Sequence, residues 1–313
     1  MSPDRILVDT WDPGYGRAFE PDDDLESPEV KLDVETDAAS WAPVAPSGGG
    51  PATDVLFVDG VQRVDARLNF VEDETVVSGI AGSFAAGAVR SRPSGAAIER
   101  VETRRGIFSR DFDEPVSCGG GVSYASCLTT GTRAETLIRA MTEQMRALER
   151  VIANDADAEL VVLDGPLSGG RPAAGAVGLV KTHRRVYLPE AQQRTVSALA
   201  PGERTPIFLT TTSFSRFSWY LRLPGPSHHP WAGVVRCEAA GDLPSAEVRE
   251  LADRSAVTLP LFASAPHRDP RAPQNLTPIG ELERVLRHRL GDAGLLERLL
   301  RRRFAAWEPS PVA

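Results

Sequence analysis

The sequence predicts an α/β protein: a mixed sheet flanked by helices, with additional strands and a C-terminal helical region. Three observations lead there. One apolar run ends in Phe57-Val58-Asp59-Gly60, and another ends in Val162-Leu163-Asp164-Gly165. Between them, Leu137, Ile138, Met141, Met145, Leu148 and Ile152 share one stripe at helical spacing. Strand, helix and strand in that order pack as layers.

The elements follow in chain order. Residues 1–50 form a leader. Its stretch 20–29 carries six acids and two prolines and is expected to be a surface loop; 43–51, with Gly48-Gly49-Gly50, is a turn or short linker. Residues 54–60 read as a buried strand and 63–71 as a paired strand. Residues 75–89, rich in Val and Ala, make a core strand, with Gly79 and Gly82 marking a bulge or a close approach. Residues 97–107 are a further strand, and 117–128 run from loop into a short strand. The helix spans 132–152 and stops at 154–157. Residues 159–163 and 177–181 are short strands. Residues 204–212 and 215–223 pair, the second alternating Phe217, Trp219 and Leu221. Residues 231–238 alternate again, 243–256 read as a helix, and 282–304 are helical with interruptions near Gly291 and Gly294. Residues 305–313 are a tail. No repeat or internal break divides 51–304, and 313 residues suit one large decorated domain.

Composition narrows the function. A net charge of -8 argues against a wholly basic protein that coats nucleic acid, but it permits a local basic surface. Cys118, Cys127 and Cys237 are odd in number and contain no CxxC pair, which disfavours a disulfide scaffold or structural zinc. They suit a reducing, cytoplasmic setting. The first ten residues do not read as a signal peptide, and no apolar run is long enough to span a bilayer, so no membrane role is expected.

Each candidate site residue has a structural alternative. Asp59 and Asp164 end apolar strands, where parallel neighbours would deliver both carboxylates to one sheet edge. Hard cations such as Mg²⁺ and Mn²⁺ favour such oxygen ligands. An Asp before Gly also forms turns through its own backbone contacts. Glu135 lies at the border of the helix's apolar stripe, within reach of the sheet edge; Thr132-Arg133-Ala134-Glu135 is equally a capping box. Glu149 is the reserve acid on that helix, and Glu143 faces solvent. If Asp59, Glu135 and Asp164 converge, one or two divalent cations would offset their repulsion, a site suited to phosphodiester hydrolysis. Lys181, ahead of His183, Arg184 and Arg185, either neutralises a phosphate or ends a strand in solvent. Arg216 and Arg222, with Phe217, Trp219 and Tyr220, form either a floor for single-stranded DNA or ordinary core. The arginines of 284–303 suit DNA phosphates or an acidic partner.

These phrases resemble the ribonuclease H-like nuclease fold, and more closely the NurA-domain nucleases. Phe57-Val58-Asp59-Gly60, Asp164-Gly165-Pro166-Leu167, Val177-Gly178-Leu179-Val180-Lys181 and Pro273-Gln274-Asn275-Leu276 carry the resemblance, from about residue 50 to about 290. It implies a ribonuclease H-like sheet and a Mn²⁺- or Mg²⁺-dependent DNA nuclease. It also implies single-strand endonuclease and 5'-3' exonuclease activity, and a homodimer docked on a HerA-like hexameric translocase in end resection. The family's acidic ligands carry over to Asp59, Glu135 and Asp164. Where the family often has a His after Pro-x-x-Leu, this chain continues Thr277-Pro278-Ile279-Gly280-Glu281. Glu281 is the candidate for that place, with His267 and Asp269 nearby. The alternatives are a non-catalytic DNA-binding or translocase-partner protein that keeps the fold, and a hydrolase of another phosphate ester.

Overall fold

The structure, a computed structural model, describes residues 3–9, 29–72, 74–167, 173, 175–183, 187–226 and 229–307. The acidic stretch up to Pro28, the pair Arg184-Arg185 and the end of the tail lie outside them. The strands are β1 (Arg5–Asp9), β2 (Glu29–Lys31), β3 (Val55–Glu72), β4 (Thr75–Arg92), β5 (Gly95–Ser109), β6 (Val116–Gly119), β7 (Val122–Leu128), β8 (Leu160–Asp164), β9 (Ala176–Val180), β10 (Phe208–Thr211), β11 (Ser215–Arg222) and β12 (Val234–Ala240). The helices are α1 (Ala134–Asn154), α2 (Glu190–Ala198), α3 (Ser245–Thr258), α4 (Thr277–Arg289) and α5 (Ala293–Ala305). Among the described residues the strands join one mixed sheet in the order β2-β10-β11-β12-β9-β8-β3-β4-β5-β7-β6, with β1 added to β3. The α/β class expected from sequence is the class observed.

The two strands expected at 54–60 and 63–71 are one. Asp59-Gly60 is no strand end: β3 runs on to Glu72 because β4 matches it along its whole length, from Val55↔Ser91 to Glu72↔Thr75. The neighbours on its other edge are what change. β8 pairs in parallel with β3 only from Val55↔Leu160 to Val58↔Leu163, and β1 joins at Arg67↔Asp9. Between these, Asp59 to Ala66 has neither neighbour among the described residues.

Side chains alternate across the sheet. Leu56, Val58, Phe84 and Ala86 pack under α1, against Leu137, Met141 and Leu148. Phe57, Val162, Leu179 and Trp219 pack on the other face, against Leu251 and Ala252 of α3 and Ile279 of α4. Glycines in β4 let both layers approach. A Cβ at Gly82 would meet the Met141 sulfur at 2.3 Å, and one at Gly87 would meet Leu282 and Leu286 of α4 at 3.1 Å. Gly291, at φ +83°, ends α4, and the Asp292 side chain accepts from the Leu295 N–H to cap α5.

The expected leader contributes to the sheet through β1 and β2. It also supplies Glu35 to a buried ion cluster. Arg204, 1% exposed, donates from both terminal nitrogens to Glu35, each at 2.8 Å, and from Nε to Asp253 at 2.7 Å. Burial alone would raise the Glu35 carboxyl, but Arg204, the Ile207 N–H and Arg249 outweigh it and hold it below the usual range. No described helix is long and apolar enough to cross a membrane.

Replacing Arg204 strands two carboxylates. Arg204→Met is expected to lose about 3–5 kcal/mol in urea denaturation at pH 7. Because the folded Glu35 pKa is depressed, its contribution is full above about pH 4.5 and fades as pH falls through the folded value. Glu35→Gln should therefore flatten part of the acid limb, and an unchanged limb would contradict the assignment.

Candidate metal centre

The register of β3 on β8 builds the site. Val58 lies beside Leu163, so Asp59 and Asp164 are the next residues along two parallel strands. Both alternate onto the face that carries Phe57 and Val162, the face covered by α4. Glu283 reaches in from that helix. One carboxylate oxygen each from Asp59, Asp164 and Glu283 lie within 4.8 Å of one another. From the α1 side, Glu149 comes up against Gly60, where a Cβ would meet its Oε1 at 2.3 Å.

Like charge dominates here. Asp59 is 5% exposed; its Oδ1 accepts the Gly60 N–H at 2.7 Å, while its buried Oδ2 has no hydrogen-bond partner among the described residues. Burial, then Asp164, Glu149 and Glu283, push its carboxyl well above the ordinary range, with Lys181 a partial offset. Burial pushes Glu149 up to about 8, Asp164 adding to it and Arg146 and Arg150 opposing it.

Among the described residues, Lys181 and Arg271 edge the cluster. Lys181 Nζ donates to Asp164 Oδ2 at 2.6 Å and to Asn275 Oδ1 at 2.7 Å. Fully buried Asn275 donates in turn to Asp269. Arg271 grips Glu283 with both terminal nitrogens, at 3.2 and 2.6 Å. An all-carboxylate set of oxygens, with one buried Asp59 oxygen unpartnered among the described residues, fits a hard divalent cation, and Asp59, Asp164 and Glu283 can coordinate one.

Asp59, Asp164 and Lys181 are thus brought together. Glu135 is not. It is exposed on the first turn of α1, after Arg133 rather than Thr132 as N-cap residue. Asp59 sits where α1 presents Glu149, and at 1.5 Å per residue Glu135 is about 21 Å farther along the helix. Glu149, the reserve acid, lies against Gly60 near the cluster but is not one of the three carboxylates whose oxygens converge. Glu281 is likewise exposed, paired with Arg284. The buried residues Ile279, Leu282 and Leu286 set the inner face of α4. At about 100° per residue, Glu283 lies about 65° from its centre and Glu281 about 135° away. That wheel, drawn from Thr277, would have found Glu283 in the sequence. His267 is exposed as well.

Arg216 and Arg222 do not form a floor for DNA. Both are buried. Arg222 donates to the carbonyls of Val196, Ser197, Pro230 and Ala232; Arg216 donates to Glu238 and Thr212 and lies over the Phe214 ring. Arg184 and Arg185 fall outside the described residues.

No protein-family model matches the chain, and no curated protein matches it by sequence. Among solved structures it is similar to the NurA nuclease from Sulfolobus solfataricus, at a TM-score of 0.49 and 12% identity over 86% of this chain and 89% of that one. A likeness this remote says nothing about side chains, and the carboxylate cluster stands on its own geometry.

A carboxyl raised in the folded state binds its proton more tightly there, so it erodes stability as pH rises past its unfolded value. Asp59→Asn is therefore expected to gain on the order of 1–2 kcal/mol in EDTA at pH 8, read by urea denaturation. Mn²⁺ should raise the melting temperature of the unsubstituted protein and leave the variant's nearly unchanged. A destabilised variant would contradict the crowding.

Proposed function

We propose that the chain is a metal-dependent DNA phosphodiester hydrolase, a single-strand endonuclease and 5'-3' exonuclease using Mn²⁺ or Mg²⁺. It acts in end processing as a cytoplasmic homodimer with a HerA-like hexameric translocase. The observation that carries the chemistry is the convergence of Asp59, Asp164 and Glu283, with an Asp59 oxygen left buried and unpartnered among the described residues. The substrate and partners rest on the resemblance of the strand motifs to NurA-domain nucleases.

Asp59, Asp164 and Glu283 would hold the cation, with Glu149 behind them. A bound divalent cation would activate water and screen charge on the leaving oxygen. The chain's own groups do the rest. Lys181, fixed by Asp164 and Asn275, keeps an ammonium at the edge of the cluster, placed to donate to a phosphate oxygen as negative charge grows there. The surrounding sheet holds the carboxylates in place before substrate arrives, so little reorganisation accompanies the step.

The test is cleavage of labelled single- and double-stranded DNA with Mn²⁺, Mg²⁺ or EDTA. Asp59→Asn, Asp164→Asn and Glu283→Gln should each lower the rate at least about 100-fold. Glu135→Gln and Glu281→Gln should stay near the unsubstituted rate. Cleavage that survives both EDTA and Asp59→Asn would overturn the mechanism. DNA binding without cleavage under every metal would favour a non-catalytic partner protein instead.

A further inference from the structure

We propose that Arg271 binds a non-bridging oxygen of the scissile phosphate, held in orientation by Glu283 and Asp269; this rests on the phosphodiester hydrolase reading of the site. Arg271 lies in the segment 263–276 that leads into α4. That segment is closed at its ends by the Ala263↔Leu276 bridge. The Arg271 N–H donates to Asp269 Oδ1 at 2.7 Å, and its carbonyl accepts from the Asn275 N–H at 3.1 Å. The backbone is thus pinned on both sides.

The guanidinium is pinned as well. Its two terminal nitrogens fork onto Glu283, and Nε lies 3.6 Å from Asp269 Oδ1. A terminal guanidinium nitrogen carries two hydrogens, and Glu283 takes one from each. The side chain is 52% exposed, whereas Glu283 and Asp164 are 15% and 16% exposed. Arg271 therefore rims the cluster with N–H groups to spare. Arg204 and Arg222 differ, being buried with their donors turned onto the protein itself.

Electrostatics call for such a group. A phosphodiester anion must approach Asp59, Asp164, Glu283 and Glu149. Lys181 lies toward Asp164 and Arg271 toward Glu283, linked through Asn275 and Asp269. An ammonium is a freely rotating point charge, whereas the guanidinium, with its fork taken by Glu283, keeps a fixed spare N–H that can meet a phosphate oxygen.

The probe is a fluorescent single-stranded oligodeoxynucleotide, titrated in EDTA over a range of salt, with cleavage and Mn²⁺ affinity measured in parallel. Arg271→Ala should weaken oligonucleotide binding about tenfold and flatten the log-log salt slope by about 0.7. Arg271→Lys should keep most of that affinity but lose kcat, because the two-point grip on Glu283 that fixes the donor is gone. Mn²⁺ affinity should hold or rise in both. Arg194→Ala, on the exposed face of α2, should change nothing. Unchanged oligonucleotide affinity and slope in Arg271→Ala, with weaker Mn²⁺ binding, would overturn the proposal and leave Arg271 as a prop for Glu283. If the unsubstituted protein binds DNA but cleaves nothing, the hydrolase reading fails, and the affinities and slopes still decide Arg271. If it binds no oligonucleotide at all, both fail.

Discussion

The structure turns on a short parallel pairing. β8 lies against β3 for four residue pairs and stops at Val58↔Leu163. Two aspartates follow immediately, on neighbouring strands and on the same face. Crowding carboxylates together is unfavourable, and the proton affinity of buried Asp59 rises in consequence. Much of the surrounding architecture reads as compensation for that crowding: Lys181 on Asp164, Arg271 on Glu283, and oxygen geometry suited to a cation.

The third carboxylate depends on how α4 is seated. Leu282 and Leu286 lie over Gly87 of β4, where no side chain intervenes. The far end of the helix is held by two arginines from the sheet. Arg63 donates to the carbonyls of Leu290 and Gly291, and Arg105 donates to Leu290. Cations belong at that end, where carbonyls are left unpaired. Arg63 is in turn fixed by buried Asp65, which also accepts from Ser83 and Tyr124. Glycine spacing and a buried polar network together set where Glu283 falls.

This division explains what the sequence revealed. Asp59 and Asp164 were legible because each follows an apolar run, and alternation then fixes the face. The extent of β3 was not, since only pairing with an equally long β4 carries the strand past Gly60. Glu135 misled because a helix stripe gives the buried face but not the point along the axis that meets the sheet. Glu149 is a turn-by-turn equivalent at the right height. Glu283 was hidden by a helix start read at Leu282 rather than Thr277, which removed the turn containing Ile279 and left the inner face undefined. The short helix α2 has a weak stripe, with only Thr195 and Val196 buried, and was not expected.

The arginines of the alternating strands show how one sequence pattern serves a different end. Glu238, 1% exposed on β12, accepts the Leu167 N–H at 3.0 Å. Leu167 lies three residues past Asp164, so Glu238 holds the backbone just beyond a site carboxylate. A buried acid in that role needs its own counter-ions, and Arg236 and Arg216 supply them. Gly178 completes the support: a Cβ there would lie 2.9 Å from the Leu167 nitrogen and 3.0 Å from the Gly165 carbonyl. Arg216, whose charge looked suited to a DNA floor, instead helps neutralise the acid that fixes the backbone after Asp164. Buried ion pairs add little net stability over apolar packing. Their value here is positional, because only a directed acceptor can pin that N–H.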